Sequence, residues 1–203
     1  ANSTHKGVIV LITKNFQITS TKEQIPGRLV NVKFFDPIEK KSYNLSAFYG
    51  PTQKDIRRGE IERFVQNFSQ LHSRTEKNII IGDFNFIDND LDKGQGMDGH
   101  DKKFGKFWEE FKKKVRISDP YREHFPTTKT FSFHSFQGKS RGDRVYVNND
   151  FVNDTSDMKY IYYPVVNTHK LFSFTLKSPQ ERGPGYWKLN TSVLKDKKYI
   201  ELI

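Results

Sequence analysis

Three short polar clusters, each at the edge of an apolar run, carry residue types suited to hydrolysis. Gly82-Asp83-Phe84-Asn85 arrives directly off Asn78-Ile79-Ile80-Ile81, so a carboxylate and an amide stand at a strand's end. Such a pair can position a water and a phosphate together. Ser140-Arg141-Gly142-Asp143-Arg144-Val145-Tyr146 sets a second acid beside another β-branched run, and Asn167-Thr168-His169-Lys170 sets a histidine just before a third. Convergence of the three clusters predicts one phosphodiester-cleaving site.

The elements that must position these clusters are mostly short strands. Gly7 to Thr13 is continuously apolar, as a strand buried on both faces would be, whereas Gly27 to Phe35 alternates and Ser42 to Phe48 resumes that pattern. The period then changes: Ile61, Phe64, Val65, Phe68 and Leu71 recur at helical spacing and predict an amphipathic helix before the Ile79 strand. A second helix is expected from about Asp101, with Phe104, Phe107, Trp108, Phe111 and Val115 on one face. The glycine- and acid-rich stretch Asp88 to Gly99 reads as a loop. Further strands are expected at Thr128 to Phe133, Arg144 to Val147, Met158 to Tyr163 and Leu171 to Leu176. Strands with interspersed helices predict a layered α/β domain over residues 1–180. Gly183-Pro184-Gly185 then breaks the pattern, and residues 181–203 read as a linker segment leading out of the domain.

Composition narrows the partners. With 203 residues, 34% of them apolar and 14% aromatic, the chain can bury a core as one domain. A net charge of +10 favours a polyanion such as nucleic acid, through long-range attraction rather than sequence reading. The absence of cysteine excludes disulfides and thiolate metal sites. No apolar run has the length of a membrane span and no secretory signal pattern opens the chain, so no membrane partner is expected and an intracellular location is.

Taken in order, the motifs resemble the endonuclease/exonuclease/phosphatase superfamily, and more closely the apurinic-type endonuclease domain of non-LTR (LINE-type) retrotransposons. That domain has a Tyr-Gly-Pro or Tyr-Ala-Pro turn, here Tyr49-Gly50-Pro51, before the helix that leads to Gly-Asp-Phe-Asn. A Ser-Arg-x-Asp-Arg-x-Tyr stretch follows, here Ser140 to Tyr146, and then a Ser-Asp-His-Lys stretch, here Asn167 to Lys170. The tail Gly183-Pro184-Gly185-Tyr186-Trp187-Lys188-Leu189-Asn190 is similar to the segment that leads those domains towards reverse transcriptase.

The resemblance implies a four-layered αββα sandwich (DNase I-like) that nicks DNA by hydrolysing a phosphodiester with Mg²⁺ or Mn²⁺. It implies that Asp83 orients or deprotonates the water, that Asn85 holds a phosphate oxygen, and that His169 contacts the scissile phosphate with Asp143 fixing its tautomer. Tyr49 would donate to the phosphate, and Thr130 and Arg141 would support substrate contact. Two departures stand out. Thr168 occupies the place of the family's metal-binding aspartate, and the early-strand glutamate ligand is not found: residues 1–22 hold no acid, and by the resemblance the sequence is expected to start after the family's first strands. A sheet lacking its first strands would expose an edge, so self-association is expected there. Each residue also has a plainer reading: a turn at Asp83, a surface ion pair between Asp143 and Arg141 or Arg144, an ordinary strand residue at Thr130. Two alternatives follow: a catalytically inactive derivative that binds nucleic acid or protein through Arg57-Arg58, Lys102-Lys103 and Lys112-Lys113-Lys114, and a phosphatase or lipid phosphodiesterase of the same superfamily.

Overall fold

The computed structural model describes residues 7–52, 66, 72, 76–94, 102–136, 138–162 and 168–177. The helix expected around Ile61 to Leu71, apart from residue 66, and the segment 181–203 lie outside the described residues.

Six strands form the central sheet: β1 (Gln17–Ile25), β2 (Leu29–Asp36), β3 (Lys41–Tyr49), β4 (Asn78–Asp83), β5 (Ile117–Ser118) and β8 (Asp143–Asn148). Their spatial order is β1-β2-β3-β4-β8-β5. The β3–β4 pair is parallel and the other pairs are antiparallel. The outer strand β1 is almost wholly exposed and carries two register irregularities and charged Lys22 and Glu23, features that blunt an edge against pairing with another chain.

Both faces of β4 are covered, which is why its sequence is continuously apolar. On one face Ile80 packs with Phe48, Phe84, Phe86 and Tyr146 under helix α1 (Lys102–Val115), whose Trp108, Phe111 and Val115 keep the helical spacing seen in the sequence. On the other face Ile79 joins Val145 and Val147, and against them pack Phe172, Phe174 and Leu176 of β10 (Leu171–Leu176). Strand β10 pairs antiparallel with β9 (Thr155–Ile161) to form part of a second layer of sheet. Helix, sheet and sheet are therefore three successive layers of the expected mixed α/β sandwich. A short helix α2 (Pro120–His124) and a hairpin of β6 (Phe133–Ser135) and β7 (Gly138–Ser140) complete the regular elements that bear on the site.

The structure corrects three expectations. Gly7 to Thr13 is not a strand: Val8, Val10 and Ile12 are half-buried while Ile9 and Leu11 are exposed, an alternation with no described neighbour to supply a ladder. The strand expected at Thr128 to Phe133 begins only at Phe133, because the carbonyls of Phe125 and Thr128 accept from the Arg122 guanidinium rather than from another strand. Within Asp88 to Gly99, Asp90–Asp92 form one 3-10 turn capped by the Asn89 side chain, which accepts from Leu91 N–H.

Candidate active site

Register alone brings the first three candidates together. Tyr49 at the end of β3 is the partner of Asp83 at the end of β4, and Asp83 is the partner of Asp143 at the start of β8. Strand pairing thus lays a tyrosine, an acid and a second acid in one row. The chain turns tightly beside it: Gly50 N–H donates to the Asp83 carbonyl and Phe84 N–H donates to the Gly142 carbonyl. Gly82 has φ +151°, and a Cβ there would lie 1.8 Å from the Phe48 carbonyl oxygen, so only glycine fits this crossing. Asn85 has φ +52°, is exposed, and donates from its amide to the Gly50 carbonyl. The Arg28 guanidinium donates to that same carbonyl and lies 5.3 Å from the centre of the Tyr49 ring, fixing the Tyr49-Gly50-Pro51 turn from below.

His169 lies two residues before β10 of the second sheet. A bridge between Phe133 and His169 docks it against the β6–β7 hairpin, with the Phe133 ring 4.9 Å away. Its Nδ1 lies 3.0 Å from Asp143 Oδ2. That contact leaves Nε2 as the nitrogen to meet a substrate atom. The hydrogen bond to Asp143 raises the imidazole pKa, against the opposing effect of partial burial. Asp83 is also raised, first by burial and then by the like charge of Asp143, although Asn85 N–H donates to its Oδ1 at 3.0 Å. An acid and a histidine with raised proton affinities, close together beside a second acid, are the pattern of a proton-transfer site.

No family model and no curated protein matches the chain by sequence. Solved structures do match by shape. An AP endonuclease from Archaeoglobus fulgidus superposes with a TM-score of 0.65 at 12% identity, over 80% of this chain and 72% of that one. The endonuclease domain of TRAS1, a telomere-specific non-LTR retrotransposon, gives 0.62 at 12% identity, over 84% and 73%. The 3' phosphatase NExo from Neisseria, bound to a product DNA hairpin, gives 0.59 at 10% identity, over 79% and 72%. The chain has the DNase I-like fold.

A DNase I-like fold implies a divalent cation, and the donor set can be tested against it. Among the described residues, Asp83, Asp143 and His169 are the one group whose potential ligand atoms lie together, all within 4.8 Å of one another. Two carboxylate oxygens suit a hard dication, and the mutual repulsion that lifts Asp83 is the kind a cation relieves. Thr168 is exposed, and its carbonyl accepts from His134 N–H in the hairpin, so its contribution is backbone rather than carboxylate.

Two expected substrate residues are placed elsewhere. Arg141 is 1% exposed, with its guanidinium held by Asp92 and Asp119 rather than turned to the Asp83–Asp143–His169 group. Thr130 Oγ1 is 2.6 Å from the Tyr121 hydroxyl, a support for the loop leading to the hairpin. Nor does Asp143 pair with its flanking arginines: Arg144 is also buried, donating to the Phe86 carbonyl and to Asp92.

The residues that sequence reasoning missed form the site's foundation. Asp92 is fully buried and faces Arg122, Arg141 and Arg144, while its carbonyl accepts from Arg141 N–H. This network fastens the loop after β4 to the segment carrying Gly142 and Asp143. Only the flanking of Asp143 by two arginines hinted at it. Gly142 carries a sharper constraint, since a Cβ there would lie 2.8 Å from Asp83 Oδ1. Gly142→Ala is expected to displace the Asp83 carboxylate and to lower kcat at least about tenfold, with a loss of stability of about 1 kcal/mol or less, because the neighbour is a side chain that can move. Steady-state kinetics alongside a urea titration check both parts.

Proposed function

We propose that this chain is a DNA endonuclease that hydrolyses a phosphodiester with a divalent cation, of retrotransposon origin, acting in the nucleus. The observation that carries the reading is the pairing of His169 with Asp143 in register with Asp83 and Tyr49 at one end of the sheet. The shape likeness to AP endonucleases and to the TRAS1 domain, and the net charge of +10, support DNA as the substrate. Among the described residues no helix is long and apolar enough to cross a membrane.

Asp83, oriented by the Asn85 N–H on its Oδ1, accepts a proton as a water oxygen bonds to phosphorus. The bond to the opposite sugar oxygen breaks, and that oxygen leaves with a proton from solvent or a neighbouring donor. His169, oriented through Nδ1, presents Nε2–H to a non-bridging oxygen, where the raised pKa favours the donating, protonated form. Asn85 uses one amide hydrogen on Gly50 and has a second for the phosphate, and the Tyr49 hydroxyl serves the same group. Asp83 and Asp143 would hold the cation, which when bound neutralises charge on the phosphate.

A second reading is favoured by Thr168: a chain that binds duplex DNA without cutting it. Nicking of supercoiled plasmid in Mg²⁺ or Mn²⁺ separates the two. The chain is expected to nick, His169→Ala to lose about 10³-fold, and Thr168→Asp to nick faster. Salt-sensitive duplex binding with no nicking, even by Thr168→Asp, would establish the second reading instead.

A further inference from the structure

Asp143 opens β8 of the central sheet and His169 lies just before β10 of the second sheet, so the bond between them depends on how the two layers sit against each other. His169 precedes β10, and β10 is paired with β9 through Phe172 and Tyr160. Tyr160 therefore rides on the same layer as His169. Its ring packs against Phe172 at 4.7 Å and Tyr121 at 5.3 Å, while its hydroxyl crosses between the layers to donate to the Asp143 carbonyl at 2.8 Å. Arg141 Nη1, itself anchored by Asp92, donates to the Tyr160 oxygen at 3.4 Å. On the other side of the same residue, Asp143 N–H donates to Ser132 Oγ, and the Ser132 carbonyl accepts from Lys170 N–H. Both polar ends of the Asp143 backbone are thus tied to groups that also touch the His169 layer.

We infer that Tyr160 is a positioning residue: its hydroxyl pins the Asp143 peptide to the layer that carries His169 and so sets the Asp143–His169 hydrogen bond. The inference rests on the reading of His169 as a catalytic group. It adds a residue outside every motif in the sequence. The geometry suits the task, because a tyrosine ring locked between two aromatics has little freedom to lose, and a buried hydroxyl needs its acceptor. Burial raises the Tyr160 pKa, so the hydroxyl stays a donor throughout the working range.

The test is Tyr160→Phe, which keeps the ring and removes one hydroxyl. Two readouts are needed: steady-state nicking, and the NMR chemical shift of the proton between His169 Nδ1 and Asp143, which moves downfield when that hydrogen bond is short and aligned and requires no activity. The expected result is a kcat about fivefold to tenfold lower with KM within about twofold, and an upfield move of that proton in Tyr160→Phe. Tyr121→Phe, which touches the same ring but not Asp143, should leave the resonance unchanged. An unchanged resonance in Tyr160→Phe overturns the inference, whatever happens to stability or rate. If the wild-type chain nicks no DNA, the resonance decides alone: an upfield move keeps the positioning role while the endonuclease reading falls.

Discussion

Asp83→Asn is expected to abolish nicking, by about 10³-fold, and at the same time to raise the melting temperature at neutral pH. The loss follows from removing the group that accepts the water's proton. The gain follows from the cause of its raised pKa. Burial and the neighbouring Asp143 charge both disfavour ionised Asp83 in the folded chain, so its charge is a native-state penalty. Asparagine keeps an oxygen to accept from Asn85 N–H while removing the charge. The sign of the pH dependence is fixed by linkage. A carboxyl whose folded pKa lies above its unfolded value costs stability above the folded pKa, and the cost vanishes as pH falls through that pKa to below the unfolded one. The variant's advantage should therefore be about 2–4 °C at pH 7–8 and disappear near pH 3.5. Thermal melts across that range, beside the nicking assay, check it. A melting temperature unchanged at every pH would mean that Asp83 is already relieved of its neighbour's charge.

Asp92→Ala should have the largest effect on stability, a loss of about 3–5 kcal/mol in urea unfolding. Asp92 is fully buried against three guanidinium groups, and two of these, Arg141 and Arg144, are themselves almost inaccessible. Removing the shared carboxylate leaves positive charges in a low-dielectric interior with too few acceptors. Arg141 keeps Asp119 and Arg144 keeps the Phe86 carbonyl, so the chain is expected to fold, with a melting temperature lower by roughly 10 °C. Asp90→Ala, two residues away and exposed, should stay within about 0.5 kcal/mol. Equal losses from the two variants would show that the buried network does not depend on Asp92.

These two acids also mark how much the sequence can tell. Asp83 was legible because it ends an apolar run, and a run of that length fixes a strand whose last residue meets its neighbours in register. Asp143 and His169 stand just before apolar runs and Tyr49 entered through the resemblance of Tyr49-Gly50-Pro51, and strand register and a hydrogen bond bring these positions together. Helix α1 was legible from its 3.6-residue period. Asp92 was not, because it sits among Asp88, Asp90 and other acids of a polar loop, and nothing in residue type distinguishes the one that turns inward. Arg141 was misread for the related reason that charge suggests solvent or substrate, while its actual partners lie 49 and 22 positions away. Gly7 to Thr13 reads as a strand by composition, but a strand needs a neighbour, which is a property of the fold. Conversely β1, with Ile18 and Ile25 as its apolar residues, is a strand by pairing more than by content.

The parallel pairing of β3 and β4 has a consequence for divergence. Both chains leave the sheet at the same edge, the first turning at Gly50 and the second at Phe84, while β8 enters that edge from the opposite direction. The meeting of Tyr49, Asp83 and Asp143 at that edge is therefore a product of strand order and direction, set by backbone pairing. Side chains furnish that row but do not create it. Chains that share only 12% of their residues, as this one does with the Archaeoglobus fulgidus AP endonuclease, can therefore share a fold that sets out such positions, whatever residues stand on them.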